Sequence, residues 1–472
     1  MTTSTSCPTP LRRPSARRGA FCFLAALAVC LAPALGWASG LYLPGRGVKP
    51  LGRAGAYIAS SGGDLNSLWY NPSGLAGLEG TTLTLDVAII DLAFEFDRAP
   101  RTRDNGEVTT YDPVSSSAAP IADPQLLVGG KLPWLGDDFS WGFGVYAPYT
   151  SPATFPEDGA QRYTLVDSNG SLLVFLNGGL GWQVSENLRL GFGVQNVVAT
   201  LKQVSVSSGY AGVFGDQEDE DLDLLSRVDI NSYFSPSANF GLWIKLFPGV
   251  EGAASVQLPA RLSDSAAKLT TRLPSHPAFD DAYLDGDTLQ ASLTLPLIAR
   301  GALRYNHSKF DVEVAAVYEA WSMLDEISIV PNDIFVRDVR GVGDIKVQPL
   351  NVPLNYQDAF SVRAGFDFKL TDRATARGGY TYETAAIPDA YYSVRFADGD
   401  KHMFGLGGSW ASDNWTLDAS FAYYLMPDRV ITNSQTRQIN PTDSENELTL
   451  VVGNGTYRQR FLVGGLAFTY AF

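Results

Sequence analysis

The chain has 472 residues, 45% hydrophobic, 12% aromatic and 18% charged, enough apolar material for a large core and too ordered a mixture for a disordered chain. Its 35 Lys plus Arg face 50 Asp plus Glu, a net charge of −15, which excludes sequence-independent binding to nucleic acid because phosphates need a basic face.

Arg12, Arg13, Arg17 and Arg18 precede an apolar stretch from Ala20 to Leu35, and Gly36-Trp37-Ala38 places small residues where signal peptidase reads them. Residues 1–38 are therefore expected to be a secretory signal peptide. Pro33 interrupts the run and no stop-transfer charges follow it, which weighs against a retained anchor. Val29 is bulky where lipoprotein signals carry a small residue, so Cys30 is a poor lipidation site. Cleavage after Ala38 would remove Cys7, Cys22 and Cys30, and would leave 31 basic residues (35 less four) against 50 acidic. An exported, acidic chain without cysteine points to a Gram-negative periplasm or outer membrane, since small secreted domains elsewhere are usually disulfide-stapled.

Residues 39–80 are rich in glycine and small residues and show no strand alternation. Beyond them the longest unbroken apolar run is Phe421 to Met426, far short of the ~20 residues of a spanning helix. Period-two alternation replaces it, the pattern of strands with two unlike faces. Fourteen strands are expected, over 82–96, 125–132, 139–146, 172–184, 188–206, 237–247, 252–262, 289–305, 309–318, 359–370, 373–383, 402–410, 415–425 and 457–472. In 359–370, for example, Phe360, Val362, Ala364, Phe366, Phe368 and Leu370 alternate with Ser361, Arg363, Gly365, Asp367 and Lys369. The first strand changes phase, from Leu83, Leu85, Val87 and Ile89 to Ile90, Leu92, Phe94 and Phe96, and a bulge is expected near Ile89–Ile90.

Short turns such as Ser185-Glu186-Asn187 and Ser412 to Asn414 alternate with long polar stretches at 97–123, 207–231, 263–288, 332–355 and 427–456. Short turns on one rim and long loops on the other describe an outer-membrane barrel. Aromatics near strand ends, such as Trp134, Trp182, Trp415 and Tyr470, suit interfacial girdles, although each is also an ordinary core residue. The fold expected is all-β, a transmembrane antiparallel β-barrel of about 14 strands over residues 81–472. An open lumen of that width would hold water, so residues 39–80 are placed inside it as a hatch, or plug.

Gly52-Arg53-Ala54-Gly55, the turn from Asp64 to Asn66 and Trp69-Tyr70-Asn71-Pro72-Ser73-Gly74 resemble the hatch of the long-chain fatty acid transporter (FadL/TodX-type) family of outer-membrane proteins. Val145-Tyr146-Ala147-Pro148-Tyr149, Leu293 to Pro296, Tyr318 to Ser322, Tyr356 to Ala359 and the terminal Phe472 extend the resemblance along the chain. One departure is Ser73, where relatives commonly carry Ala. Passive, ligand-gated uptake of hydrophobic molecules, long-chain fatty acids or aromatic hydrocarbons, is what the resemblance implies. It also implies a kinked third strand that opens the wall sideways.

In the third expected strand Gly142, Gly144 and Pro148 suit such a gate, while the two glycines equally suit packing against the hatch. Candidate ligand residues are Tyr149, Phe155, Arg162 and Tyr163, then Tyr210, Val213 and Phe214, with Arg162 either a partner for a carboxylate or a solvated loop cation. The acidic run from Asp216 to Asp221 with Asp223 does not match an EF-hand loop and is left without a metal. No cofactor is expected. His276, His307 and His402 lie in no nucleophile setting and no phosphate loop occurs, so neither catalysis nor nucleotide-driven transport is expected. A general porin is the competing reading. A monomer in contact with lipid and lipopolysaccharide completes the expectation.

Overall fold

The structure is a computed structural model that describes residues 45–472 except 104, 150–151, 213–214, 397, 442 and 444–446. The expected signal peptide and residues 39–44 lie outside the described residues, as do Val213 and Phe214. No described helix is long and apolar enough to cross a membrane. The chain is instead dominated by strands.

Fourteen of them form a closed circuit: β1 Thr82–Arg98, β2 Ile121–Lys131, β3 Phe139–Tyr149, β4 Leu172–Ser185, β5 Leu188–Ser208, β6 Asp223–Phe247, β7 Val250–Gln257, β8 Ile298–Asn306, β9 Phe310–Glu319, β10 Ala359–Lys369, β11 Ala374–Glu383, β12 Lys401–Ala411, β13 Trp415–Leu425 and β14 Gly455–Ala471. Each pairs antiparallel with the next, and β1 closes against β14 from Thr82↔Ala471 to Arg98↔Gly455. The expected strands fall on these fourteen, with ends that differ most at β6 and β8. All five stretches expected to be loops contain some strand: in 207–231 β6 begins at Asp223, in 263–288 Ala260–Arg272 pairs with it above β7, and 332–355 holds Leu350–Pro353.

Four strands are interrupted and resume beyond the break. Ala260–Arg272 continues β7 past Pro259, Thr288–Leu295 precedes β8 across Pro296, and Glu326–Pro331 and Leu350–Pro353 adjoin β9 and β10. Proline cannot donate to a ladder, and a 3-10 turn at Trp321–Met323 interrupts β9 likewise. The outer pieces pair with one another, so a second tier of sheet rises from one arc of the barrel.

The expected bulge at Ile89–Ile90 is absent. Both ladders of β1 run through it without a register shift. Leu85, Val87 and Ile89 are 50%, 45% and 47% exposed, whereas Ile90, Leu92 and Phe94 are 5%, 7% and 2% exposed. The pleat keeps its phase while the chemistry of its faces swaps. Below the swap the outward face is apolar, as it must be in lipid, and above it the outward residues are Asp91, Ala93, Glu95 and Asp97. The swap marks where the strand leaves the membrane.

Residues 45–80 carry a short α1 (Val48–Gly52), α2 (Ser67–Tyr70) and a 3-10 turn at Pro72–Gly77. Their hydrogen bonds go to strands on every side of the circuit: Val48 N to Asp86 Oδ2 of β1 (2.6 Å), Gln125 Nε2 of β2 to Asn66 (2.8 Å), and Asn177 of β4 and Asn239 of β6 to the Leu68 carbonyl (2.8 and 2.7 Å). Ser255 of β7 donates to the Tyr70 carbonyl, and Glu313 of β9 accepts from Ile58 N and Ser60 N. Two glycines let the backbones meet. A Cβ on Gly191 would lie 2.1 Å from a Pro72 backbone atom, and one on Gly241 would lie 1.9 Å from Asn71 Oδ1.

Single cysteines test the swap in a chain whose native cysteines all precede residue 39. Val87→Cys and Ile89→Cys should react with a maleimide dissolved in the lipid phase, while Ile90→Cys and Leu92→Cys stay unlabelled. Labelling at Ile90 with protection at Ile89 would restore the bulge.

Candidate functional site

A cavity of about 500 Å³ lies among the outer pieces of β7 to β10 and the upper ends of β4 to β6, within the range of roughly 300–1,000 Å³ usual for ligand pockets. Its wall is aliphatic, with Leu173, Leu201, Leu224, Ile230, Leu293 and Ile329 among the lining residues. Tyr149 and Phe396 supply aromatic rings, and Ser205, Gln203 and Asn351 supply polar edges.

Two cations line it among the described residues, Lys202 and Arg395. Lys202 is paired with Asp167. The Asp167 carboxyl is lowered from its ordinary value: burial opposes its charge, and bonds from Lys202, Thr154 and the Asn169 backbone outweigh that. Arg395 is 8% exposed and faces no carboxylate among the described residues. Its Nη2 donates to the Thr164 carbonyl at 3.4 Å, while Nε is buried with no acceptor. Burial lowers its pKa, with Tyr356 the one group acting the other way.

Of the ligand residues expected from sequence, Tyr149 lines the cavity. Phe155 is buried against Phe94, ring centroids 6.1 Å apart. Tyr163 is fully buried and donates to Asp223 at 3.0 Å, and half-buried Tyr210 packs in a separate cluster with Leu222 and Phe279. Arg162 is neither solvated nor on the cavity: its Nε donates to Asp223 at 2.7 Å and its Nη2 to the Glu218 carbonyl at 3.1 Å. That pair also accounts for much of the acidic run. Glu218 meets Arg98 and Arg101, each at 2.8 Å, and Asp216 meets Arg101 at 3.6 Å. Burial works against the charge of Glu218, but Arg98, Arg101 and Tyr111 hold its carboxyl below the ordinary value. Arg395 lay beyond sequence reasoning, for nothing in its neighbourhood marks it off from other loop arginines.

The wall has a gap. The β2–β3 ladder stops at Leu126↔Val145, although β2 runs on to Ile121 against β1. On the other side of β3 the register slips between Tyr146 and Tyr149. Pro124 and Pro148 stand on the two facing strand ends, neither able to donate. Of the three residues expected at a kink, Pro148 is at the irregularity. Gly142 and Gly144 lie in paired strand, and a Cβ there would meet Leu75 and Leu127 at 2.8 and 2.7 Å, so they serve close packing. Gly45, Arg46 and Asp123 line a recess of about 30 Å³ together with Ala147 and Pro148, and Arg46 forms an ion pair with Asp123.

The segment's other motif residues are bonded in place. Arg53, with 0% of its side chain exposed, reaches Asp311 at 2.9 Å and Asp367 at 2.8 Å. Ala54 and Gly55 both take positive φ, 50° and 78°, to turn the chain back after α1. Gly52 lies against Ser420 and Arg377, and Asp64 pairs with Lys49 at 2.9 Å. Asn71 donates to the Leu242 carbonyl and caps the turn at Pro72 by accepting from Ser73 N, and the Ser73 hydroxyl adds a bond of 2.8 Å to the same oxygen.

A closed fourteen-stranded barrel with a lipid-facing apolar band, a packed interior and an apolar cavity on its long-loop side defines an outer-membrane transport barrel for hydrophobic cargo. Residues 29–472 match the family described as outer membrane protein transport protein (OMPP1/FadL/TodX), and the chain belongs to that family of the outer membrane. Its members carry hydrophobic small molecules and are channels rather than enzymes.

The fold is similar to that of a FadL homologue from Pseudomonas aeruginosa (17% identity, 92% of this chain and 100% of that one, TM-score 0.73). It is also similar to the toluene transporters TbuX of Ralstonia pickettii (14%, 89% and 98%, 0.58) and TodX of Pseudomonas putida (16%, 86% and 94%, 0.58). No curated protein matches the sequence.

Arg162→Ala would take the cation from Asp223 in a partly buried site and leave it the Tyr163 hydroxyl, so the 216–223 stretch should loosen. Limited proteolysis of the intact barrel should cut there at least several-fold faster, with no change in ligand affinity. A fall in affinity without faster cutting would return Arg162 to the list of ligand contacts.

Proposed function

We propose that the chain is a passive outer-membrane channel for long-chain fatty acids, acting as a monomer after removal of residues 1–38, with residues 39–80 as its hatch. Lipopolysaccharide presents a polar, ion-bridged layer that an acyl chain crosses poorly, and the cavity offers an apolar station beyond it. The observation that carries this reading is the aliphatic lining of that cavity, which suits a flexible chain over a flat ring. Aromatic hydrocarbons, the cargo named for TodX and TbuX, are the alternative.

Cargo would pass from the cavity toward the hatch and leave through the gap between β2 and β3 into the membrane. Arg46, paired with Asp123 at that gap, would hold the segment over it until it moves. Tyr149 would be the shared residue of the path, since it lines the cavity and adjoins the slipped register of β3.

Each methylene moved out of water is worth about 0.8 kcal/mol, or about four-fold in affinity. Binding of a series of saturated acids to purified protein should tighten by about that factor per carbon until the cavity is full. A flat series, with toluene bound as tightly as any acid, would favour the aromatic alternative. Ala147→Trp should fill the gap. Cellular uptake is expected to fall about ten-fold or more with cavity binding intact, and undiminished uptake would place the exit elsewhere.

A further inference from the structure

The wall of the cavity is not uniformly apolar. Three successive inward positions of β5 are Gln203, Ser205 and Ser207, and all three line it. Ser205 stands in register with Ser226 of β6, and Ser226 with Thr271 of the outer piece Ala260–Arg272, both again on the cavity. Three hydroxyls thus form one rung across three neighbouring strands. At strand spacings of roughly 4.8 Å the rung runs about 10 Å, and from Gln203 to Ser207 the patch extends about 13 Å along β5.

These groups are short of partners. The Ser226 and Thr271 hydroxyls share one contact of 3.4 Å. Among the described residues the Ser205 and Ser207 hydroxyls and the Gln203 amide have none, although Ser205 and Ser207 are 7% and 6% exposed. Around the rung the same faces of these strands are aliphatic, with Leu201, Val228 and Leu269. Hydrocarbon laid over such a patch would strip its water and return nothing, and polar groups left buried without partners are costly. None of the five side chains is ionisable, so the patch complements neutral donors and acceptors rather than charge.

We propose that this patch binds a neutral polyol head carried on an acyl chain, an acylglycerol being the simplest such cargo, with the free hydroxyls of the head on the rung and the tail against the aliphatic wall. This rests on the acyl-chain reading of the cavity and adds to it a head group that the cavity selects. A hydroxyl both donates and accepts, so neighbouring hydroxyls of the head can each be met by the side chain of a different strand. The Gln203 amide, a donor beside the rung, takes the ester carbonyl. A site that bonds a ligand hydroxyl rejects the analogue lacking it far more strongly than an apolar pocket rejects one more methylene. The patch therefore sorts acyl cargoes by their oxygen content, while the aliphatic wall sorts them by length.

The test compares 1-monooleoylglycerol with methyl oleate, two uncharged oleoyl esters of which the first alone has free hydroxyls. The unmodified, intact barrel should bind the glycerol ester about ten-fold or more tighter. Ser205→Ala and Thr271→Val remove one hydroxyl each with little change of shape. Each should weaken binding of the glycerol ester about three- to ten-fold and leave methyl oleate as tight or up to about two-fold tighter, since less polar wall is then stripped of water. A residue that acted through packing alone would not move the two ligands apart. Equal affinity for the two esters in the unmodified protein would overturn the proposal and leave the patch a site for water, with the acyl-chain reading intact. Parallel loss of both ligands in the variants would also overturn it, as would glycerol-ester binding unaltered by both substitutions. Binding of oleate with neither ester would do the same. If oleate fails to bind as well, the acyl-chain reading itself falls.

Discussion

The pairing of β1 with β14 over seventeen consecutive residues is the constraint on which the rest of the molecule depends. Lipid offers no hydrogen-bond partners, so a strand can cross only where both neighbours satisfy its backbone, and one unclosed edge would leave a row of bare amides in hydrocarbon. Closure also fixes which way side chains point. Polar residues on the spanning strands must turn inward, where they need partners of their own. Glu313 finds the amides of Ile58 and Ser60, Arg363 lies beside Glu383, and Asp367 and Asp311 share Arg53. The barrel interior is thus held to residues 45–80 by its own need for compensation.

The same alternation serves two solvents in one strand. Along β1 the outer face carries Leu85, Val87 and Ile89 into lipid, and the inner face then carries Ile90, Leu92, Phe94 and Phe96 into a core shared with Phe155 and Tyr457. No bulge is needed, because only the chemistry reverses. Above that level the wall is free to depart from a cylinder. Prolines and 3-10 turns break β7 to β10 there, and a greasy cavity opens inside the second tier.

The strands were legible because lipid demands a clean alternation: Phe240, Leu242, Ile244 and Leu246 are all outward, as their spacing says. The bulge was misread because periodicity reports hydrophobicity, and a strand crossing the membrane surface changes that without changing its pleat. Residues 223–231 read as loop for a related reason, since strand outside the membrane carries charges such as Asp223, Arg227 and Asp229 on its faces. At the site, Tyr149 was legible from its place beside Pro148. Arg395 was not. Its distinction is that no carboxylate among the described residues pairs with it, a property of neighbours contributed by strands and loops far apart in sequence. Arg162 drew attention by standing in a stretch of aromatics, and the structure gives it Asp223, sixty-one residues away.

On the proposed route, the energetics divide cleanly between tail and head. Taking an acyl tail from water into the cavity gains roughly 0.8 kcal/mol per methylene, but moving it on from cavity to bilayer exchanges one apolar medium for another and gains almost nothing. Tail burial therefore sets capture and cannot set direction. What resists onward movement is the carboxylate, which keeps its charge only while something compensates it, and the bonds that hold residues 45–48 at the gap, chiefly Arg46 to Asp123 and Val48 to Asp86. A passive channel of this kind would run in whichever direction the cargo is consumed. Its selectivity among greasy molecules would then reside in a few polar contacts within a wall that is otherwise indifferent to what it carries.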